Sequence, residues 1–136
     1  DQCYIDATYL TKPTKLPDII KNCDNGLFEL RGRSADLINI GGKRTSIAEL
    51  NYRLNQIIKV EDGAFFVPTQ NEYEHKRLTA FVVANNLREE EILQALRQYV
   101  DPVFLPRPIH FVDHLPRNSS GKLTRESILE TFSQYF

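Results

Sequence analysis

Residues 31–45, RGRSADLINIGGKRT, are the stretch of this sequence that decides its organisation. They combine three glycines with four cations, Arg31, Arg33, Lys43 and Arg44. Glycine lets the backbone come close to a ligand, and cations bind the oxygens of phosphates or carboxylates. The stretch is therefore a candidate loop for binding a small anion. Solvated surface turns have the same composition, so composition alone leaves both interpretations open.

A second stretch of the same kind follows much later in the chain. Residues 116–125, PRNSSGKLTR, place Arg117, Lys122 and Arg125 around a glycine. Neither stretch is a P-loop, because in both the Gly-Lys pair lacks the serine or threonine that must come next. Asn118 begins an Asn-Ser-Ser glycosylation sequon, a match that is common by chance. The two stretches together form the candidate site.

The composition limits the class of protein. The 136 residues, 41% of them apolar and 26% charged, fit one modest globular domain. Seventeen basic and eighteen acidic residues give a net charge of -1, which argues against nucleic acid as a partner. The apolar runs are too short for membrane insertion, and no secretory signal is visible. With only two cysteines, the chain is predicted to be cytoplasmic with free thiols.

The hydrophobic pattern predicts an α+β fold, in which a small mixed sheet and about three helices pack in two layers. A capping box at Ser46 begins a predicted helix over 47–58, a second box at Asn86 begins another, and a third helix is predicted over 124–136. Residues 1–26 show no sustained period and are predicted to be an irregular lead-in. Strands are predicted at 27–31, 37–40, 63–67, 78–84 and 109–112.

Two histidines are candidate metal ligands. His110 and His114 would share one face of a predicted strand. A structural or catalytic zinc site needs at least three protein ligands, and the sequence shows no third ligand near them. Packing or surface histidines are therefore the preferred interpretation, and no metal site is predicted.

Taken together, the two stretches resemble a pair of motifs of the adenylate-forming acyl-CoA synthetase, or AMP-dependent ligase, superfamily. Residues 32–44 are similar to its G-R-x-D-D-x-[IV]-x-x-x-G-x-R motif. Residues 115–125 are similar to its last motif, L-P-[KR]-x-x-x-G-K-[IL]-x-R. The resemblance covers about residues 18–130. It implies the small C-terminal lid domain of an AMP-forming acyl-CoA synthetase.

The resemblance also implies a division of the chain. Residues 1–34 correspond to the tail of a preceding large domain and the approach to the hinge, and residues 35–136 to the lid. The chain begins with Asp1 and contains no methionine, so we expect a piece of a longer protein. The amino-acid sequence of residues 37–50 and 103–108 also resembles that of the synthetases of bacterial aryl-polyene pigment clusters.

Two half-reactions are implied by the resemblance. A small carboxylic acid, fatty or aryl, attacks the α-phosphate of ATP to give an acyl-adenylate and pyrophosphate. A thiol then takes the acyl group, from CoA or from the phosphopantetheine arm of an acyl carrier protein. The lid rotates between the steps. Mg²⁺ accompanies ATP and is held mainly by the missing N-terminal large domain. The fragment alone is expected to be nearly inactive, because it lacks the acid and phosphate pockets.

Roles for individual residues follow from the same resemblance. Lys122 matches the adenylation lysine, whose ammonium stabilises the charge that develops at the α-phosphorus. Asp18 and Arg33 match the pair that holds the ATP ribose. Arg44 matches an arginine near the phosphates. Gly42 matches the glycine beside the pantetheine channel, although a plain turn glycine would look the same in the sequence.

Two departures from the family pattern favour an alternative. Leu16-Pro17 replace the usual Thr-Gly before the ribose aspartate, and Ala35 stands where the hinge residue is normally Asp or Lys. The alternative is a non-catalytic module that keeps the lid fold and docks to another protein. The intact motif around Lys122 argues against it, because such a module has no physical need for that lysine.

Overall fold

The computed structural model describes residues 2–5, 8, 11–33, 36–68 and 77–136. The chain forms two compact units, Asp1–Glu49 and Leu50–Phe136. Short 3₁₀-helices lie at Asp24–Gly26, Pro102–Phe104 and Ser133–Tyr135. The strands and α-helices are β1 Gln2–Ile5, β2 Thr14–Asn22, β3 Phe28–Arg33, β4 Leu37–Ile40, β5 Lys43–Ser46, α1 Ile47–Asn55, β6 Val60–Phe66, β7 Thr79–Ala84, α2 Glu89–Arg97, β8 Ile109–Phe111 and α3 Arg125–Thr131.

The first unit contains two antiparallel sheets, one with the order β1-β2-β3 and one formed by β4 and β5. The prediction of an irregular lead-in over 1–26 is therefore wrong. Residues 21–30 are all exposed, so this part of the sheet buries no face within the described residues. Its strands are held by backbone pairing, which leaves no pattern in the sequence.

A tight turn joins β4 to β5. Ile40 lies opposite Lys43, and the two residues between them have positive φ, +58° at Gly41 and +76° at Gly42. Two positive φ values in a two-residue loop define a type I′ turn, whose twist matches that of the flanking strands. The two glycines are therefore what allows this hairpin to close.

Helix α1 begins where the capping box predicts and ends three residues early. Ser46 Oγ accepts a hydrogen bond from the Glu49 N–H at 3.1 Å. At the other end, Asn55 Nδ2 donates to Gly63 O at 2.8 Å, and Lys59 turns the chain with φ +75°. Because the Asn55 side chain bonds Gly63 of β6 to the helix end, the chain turns into the strand instead of continuing as helix.

The second unit contains a mixed sheet, as predicted. Strand β6 pairs antiparallel with β7, and β7 pairs parallel with β8. Phe81, at the centre of β7, is fully buried and stacks on Phe132 with ring centroids 4.5 Å apart. The three helices and small sheets confirm the α+β fold class. The central core cluster consists of Ala64, Phe66, Phe81, Leu115, Ile128 and Phe132.

The two later helices differ in detail from their predicted bounds. The expected capping box at Asn86 is wrong: Asn86 has φ +54°, and the Arg88 N–H donates instead to the Glu91 carboxylate at 2.9 Å. The last helix ends at Thr131, with Phe132 leaving the helical conformation at φ -113°. That break places Tyr135 and Phe136 against Phe81. No helix in the described part of the chain is long and apolar enough to cross a membrane.

Candidate active site

The loop that carries Lys122 is a closed, hydrogen-bonded turn. Arg117 and Leu123 form an antiparallel bridge. Inside that bridge, the Asn118 N–H donates to Lys122 O at 2.8 Å, and the Gly121 N–H donates to Asn118 O at 2.9 Å. Gly121 has φ +77°, a conformation that residues with a side chain rarely adopt. The loop 117–123 therefore has a defined backbone, with Lys122 on its returning arm.

The side chain of Asn118 closes the same loop from within. Its Oδ1 accepts three hydrogen bonds, from Ser120 N at 3.0 Å, Ser120 Oγ at 2.8 Å and Lys122 N at 2.9 Å. Asparagine favours such turns because its side chain bonds to the backbone a few residues on. The residue that begins the sequon is thus an organising residue of the Lys122 loop.

Arg117 ties the loop to the sheet. Its Nε and Nη2 donate to the two carboxylate oxygens of Asp62 on β6, at 2.9 and 2.8 Å. Its Nη1 donates to Gly121 O at 3.0 Å. Donation to the Asp62 carboxylate raises the pKa of Arg117 above its usual value, so the guanidinium stays charged at every physiological pH. Arg117 is therefore occupied by protein acceptors.

Arg125, the last cation of the motif, is occupied in the same way. Its Nη1 donates to Val67 O at 2.7 Å, and its Nη2 donates to Pro68 O at 3.1 Å. Its guanidinium also lies 4.7 Å from the centre of the Phe66 ring, within the range of a cation–π contact. Thr124 caps α3 beside it by accepting from Ser127 N at 3.2 Å. Arg125 thus fastens the start of α3 to the end of β6.

Lys122 differs from both arginines. Its side chain is exposed, and its Nζ makes no hydrogen bond or ion pair with any other residue in the described ranges. A flexible ammonium on a defined backbone is free to bind an anion that arrives from outside the domain. Among the three cations of residues 116–125, the structure therefore singles out Lys122 as the one available for a ligand.

The candidate ribose pair lies in the first unit. The register of β2 and β3 places Asp18 directly opposite Arg33. Residues that are 15 positions apart in sequence thus become neighbours across one antiparallel ladder. The structure brings these two together, as their proposed common role requires.

Gly42 and Arg44 lie on the β4–β5 hairpin of the same unit. Arg44 is exposed and lies opposite Asn39. A Cβ atom added to Gly42 would meet no atom of the described residues within 4 Å, so among those residues only the positive φ favours glycine here. The hinge position, Ala35, lies outside the described residues. Lys122 belongs to the second unit.

A model of the family described as "AMP-binding enzyme C-terminal domain" matches residues 54–122. The match covers β6, β7, α2 and β8, and its last residue is Lys122. The chain belongs to this family.

Curated relatives of this AMP-binding enzyme C-terminal domain are CoA ligases. It is 29% identical over 129 residues to the oxalate–CoA ligase of Saccharomyces cerevisiae, covering 89% of this chain and 24% of that protein. It is 34% identical over 115 residues to the acetyl-coenzyme A synthetase of Herminiimonas arsenicoxydans, covering 78% of this chain and 17% of that protein. The chain thus spans less than a quarter of the length of either relative.

Solved structures show the same fold. The ATP-bound MatB of Rhodopseudomonas palustris superposes with a TM-score of 0.71 at 24% identity, over 90% of this chain and 25% of that one. At this identity the likeness establishes the fold of the C-terminal domain and no more.

His110 and His114, the histidines among the described residues, are not arranged as a metal site. Strand β8 ends at Phe111, so His110 and His114 do not share a strand face, and that prediction is wrong. His110 packs between Phe81, at 5.2 Å, and Tyr135, at 4.2 Å between ring centroids. Burial lowers the pKa of His110. Within the described ranges, no group of three or more His, Cys, Asp or Glu side chains is placed to hold a metal ion.

Two residues of the candidate site were not found from the sequence. Asp62 was not singled out, because its partner Arg117 lies 55 positions away and no local pattern links them. Asn118 was interpreted only as part of a sequon. The better signal was the asparagine three residues before a glycine, which is typical of a turn.

Proposed function

We propose that this chain is the C-terminal domain of an ATP-dependent, AMP-forming ligase that joins a carboxylic acid to a thiol, and that Lys122 is its adenylation lysine. One observation carries the proposal. The motif places three cations around one loop, protein acceptors hold Arg117 and Arg125, and Lys122 is exposed on a braced backbone. The match to relatives named as CoA ligases supports the same activity.

The chemistry of adenylation explains why a lysine belongs at this position. A carboxylate oxygen bonds to the α-phosphorus of ATP, the bond from that phosphorus to the β-bridging oxygen breaks, and pyrophosphate leaves. Two anions must approach each other, and negative charge builds on the α-phosphate oxygens. An ammonium that reaches this centre stabilises the transition state more than the separated reactants. Holding the lysine backbone in place lowers the entropic cost of reaching that geometry.

Asp18, Arg33, Arg44 and Gly42 are the proposed contacts to the substrates. A carboxylate at position 18 can accept hydrogen bonds from both ribose hydroxyls of ATP. The backbone register that pairs Asp18 with Arg33 supports a shared role for the two residues. Arg44 would lie near the phosphates. Gly42 would border the path of the thiol arm, whether that arm belongs to CoA or to a carrier protein.

The proposal extends to parts of the protein beyond this domain. Residues 35–136 would be the lid, and residues 1–34 the tail of a large domain that supplies the acid pocket. The described residues hold no group suited to Mg²⁺, so we assign no step of the reaction to the metal here. The lid would rotate between adenylation and thioester formation. The relatives do not favour the alternative, a docking module without activity.

Carboxylate-dependent exchange between ATP and pyrophosphate tests the proposal. The assay uses the protein that carries this domain together with its large domain, and a panel of short, fatty and aryl acids. We expect exchange with at least one acid class, and a loss of about 100-fold or more in Lys122→Ala, by analogy with removal of a key electrostatic group. Lys59→Ala, which removes another exposed ammonium, should exchange normally. A folded protein that exchanges with no acid would contradict the ligase proposal.

A further inference from the structure

We propose that Asp62 is a positioning residue for adenylation, which acts by holding Arg117 and, through it, the loop that presents Lys122. The inference rests on the proposed function of Lys122. It assigns a role to a residue on a different strand, far from either motif in the sequence.

The connection runs through one guanidinium group. Two nitrogens of Arg117, Nε and Nη2, donate to the Asp62 carboxylate. The third nitrogen, Nη1, donates to Gly121 O at 3.0 Å. Gly121 immediately precedes Lys122, and the Asn118 side chain bonds the Lys122 N–H from the other side of the turn. Because the guanidinium is planar and rigid, holding Nε and Nη2 in place also fixes the direction in which Nη1 donates.

The Asp62 side chain is also oriented by contacts other than Arg117. The pairing of β6 with β7 shifts register between Val60 and Asp62, an irregularity of the kind that redirects a side chain. Asp62 Oδ1 also accepts from the Gly63 N–H at 3.0 Å. The local backbone therefore fixes the orientation of the carboxylate. A surface ion pair between two flexible side chains would have no such constraint.

The ion pair is poorly suited to stabilise the fold as a whole. The side chains of Arg117 and Asp62 are 40% and 29% exposed, and pairs in such surroundings contribute little to stability. Neither residue belongs to the core cluster around Phe81 and Phe132. Their loss should therefore change the position of Lys122 much more than the stability of the domain.

Arg88 and Glu91 provide a matched comparison. They form another ion pair in the same unit, at 3.5 Å, but they join residues three positions apart at the start of α2. Glu91→Gln thus removes a carboxylate from an exposed ion pair, as Asp62→Asn does, without touching the Lys122 loop. Arg117→Lys keeps the positive charge and removes the fork, so it tests geometry apart from charge.

The experiment measures both half-reactions in the full ligase. For Asp62→Asn and Arg117→Lys we expect adenylation kcat to fall about 10- to 100-fold, the range for a small misplacement of a catalytic group, with KM for ATP and acid unchanged. Thioester formation from supplied acyl-adenylate should be retained, and Tm should stay close to that of the parent. Glu91→Gln should adenylate normally. Amide hydrogen exchange over 117–123 should accelerate in Asp62→Asn and not in Glu91→Gln.

The outcomes separate the inference from the proposed function. Normal adenylation in Asp62→Asn and Arg117→Lys, when Lys122→Ala is inactive, would overturn the positioning role and leave the role of Lys122 intact. An equal loss of both half-reactions together with a lowered Tm would also overturn it, because that pattern indicates a structural residue. Normal adenylation in Lys122→Ala would overturn the proposed function itself.

Discussion

Leu54 of α1 lies directly against the backbone of Gly63 in β6, so closely that a Cβ atom on Gly63 would stand 2.7 Å from Leu54 Cδ2. Leu54 is fully buried, and the Asn55 side chain holds the same strand residue through its carbonyl oxygen. The approach of helix to strand at this point therefore depends on the absence of a side chain at position 63.

Gly63→Ala should destabilise the domain. The added methyl group forces Leu54 or the strand to move, and overpacking of this kind typically costs about 1–3 kcal/mol in the free energy of unfolding. Urea denaturation measures the change. In the Leu54→Ala background, where the methyl group has room, the same substitution should cost much less. Equal costs in both backgrounds would contradict this steric account.

Gly42 has a turn role that the structure shows and a channel role that we propose. Gly42→Ala places a side chain at φ +76° and should cost about 1 kcal/mol of stability, whereas Gly42→Asn should be tolerated better because asparagine visits this conformation. In the full ligase, both variants should slow thioester formation and spare adenylation if the thiol arm passes this position. Wild-type thioester formation by Gly42→Asn would show that the glycine serves the turn alone.

Asn118 should matter for adenylation through the backbone of its loop. Asn118→Ala removes the oxygen that accepts from Ser120 and Lys122, so the loop should loosen and adenylation kcat should fall about tenfold or more. Ser119→Ala, in the same loop, is the matched control and should be nearly normal. Single-turnover formation of acyl-adenylate measures the effect. A normal rate in Asn118→Ala would show that the three hydrogen bonds are dispensable.

His110 should make the stability of the domain depend on pH. Burial between Phe81 and Tyr135 lowers its pKa, with Glu89 opposing the shift. Below about pH 6.5, His110 binds a proton in the unfolded chain more readily than in the folded domain. The free energy of unfolding therefore decreases as the pH falls toward the lower pKa that His110 has in the folded state. Well above pH 6.5, His110 is neutral in both the folded and the unfolded state, so it no longer makes the stability depend on pH.

His110→Phe keeps an aromatic ring in the stack and removes the titration. Urea midpoints measured at about pH 7.5 and about pH 5 should show a smaller loss of stability on acidification in this variant than in the parent protein. An identical loss in the two proteins would mean that His110 does not contribute to the pH dependence.

The parts of the fold that the sequence predicted are those that bury a patterned face. Helices α1 and α2 carry apolar residues at helical spacing, β7 is a short continuous apolar run, and all three form near their predicted positions. Strand β3 was predicted at 27–31, but β1 and β2 were missed, because no sustained apolar period marks residues 1–26 and the pairing of these strands is made by backbone groups. The third helix was extended too far, because the pattern did not show that Phe132 leaves the helix to reach Phe81.

The candidate site shows a similar division. Lys122 was predicted because its neighbours form a compact motif within a few positions. Asp62 was not, because its role depends on an ion pair that exists only after β6 and the loop 117–123 have come together. Spacing along the chain identifies groups that act from one loop. Spacing does not identify a positioning residue, such as Asp62, that lies on another strand.

Lys122 is the residue on which the proposed adenylation depends most, and its role is tested most directly by separating the two half-reactions in one protein. Acyl-adenylate formation and thioester formation from supplied acyl-adenylate would each be measured in the full ligase and in Lys122→Ala. We predict that adenylation falls about 100-fold or more while thioester formation is retained, because the ammonium would act only where charge develops on the α-phosphate. Equal loss of both half-reactions, or no loss of adenylation, would contradict it.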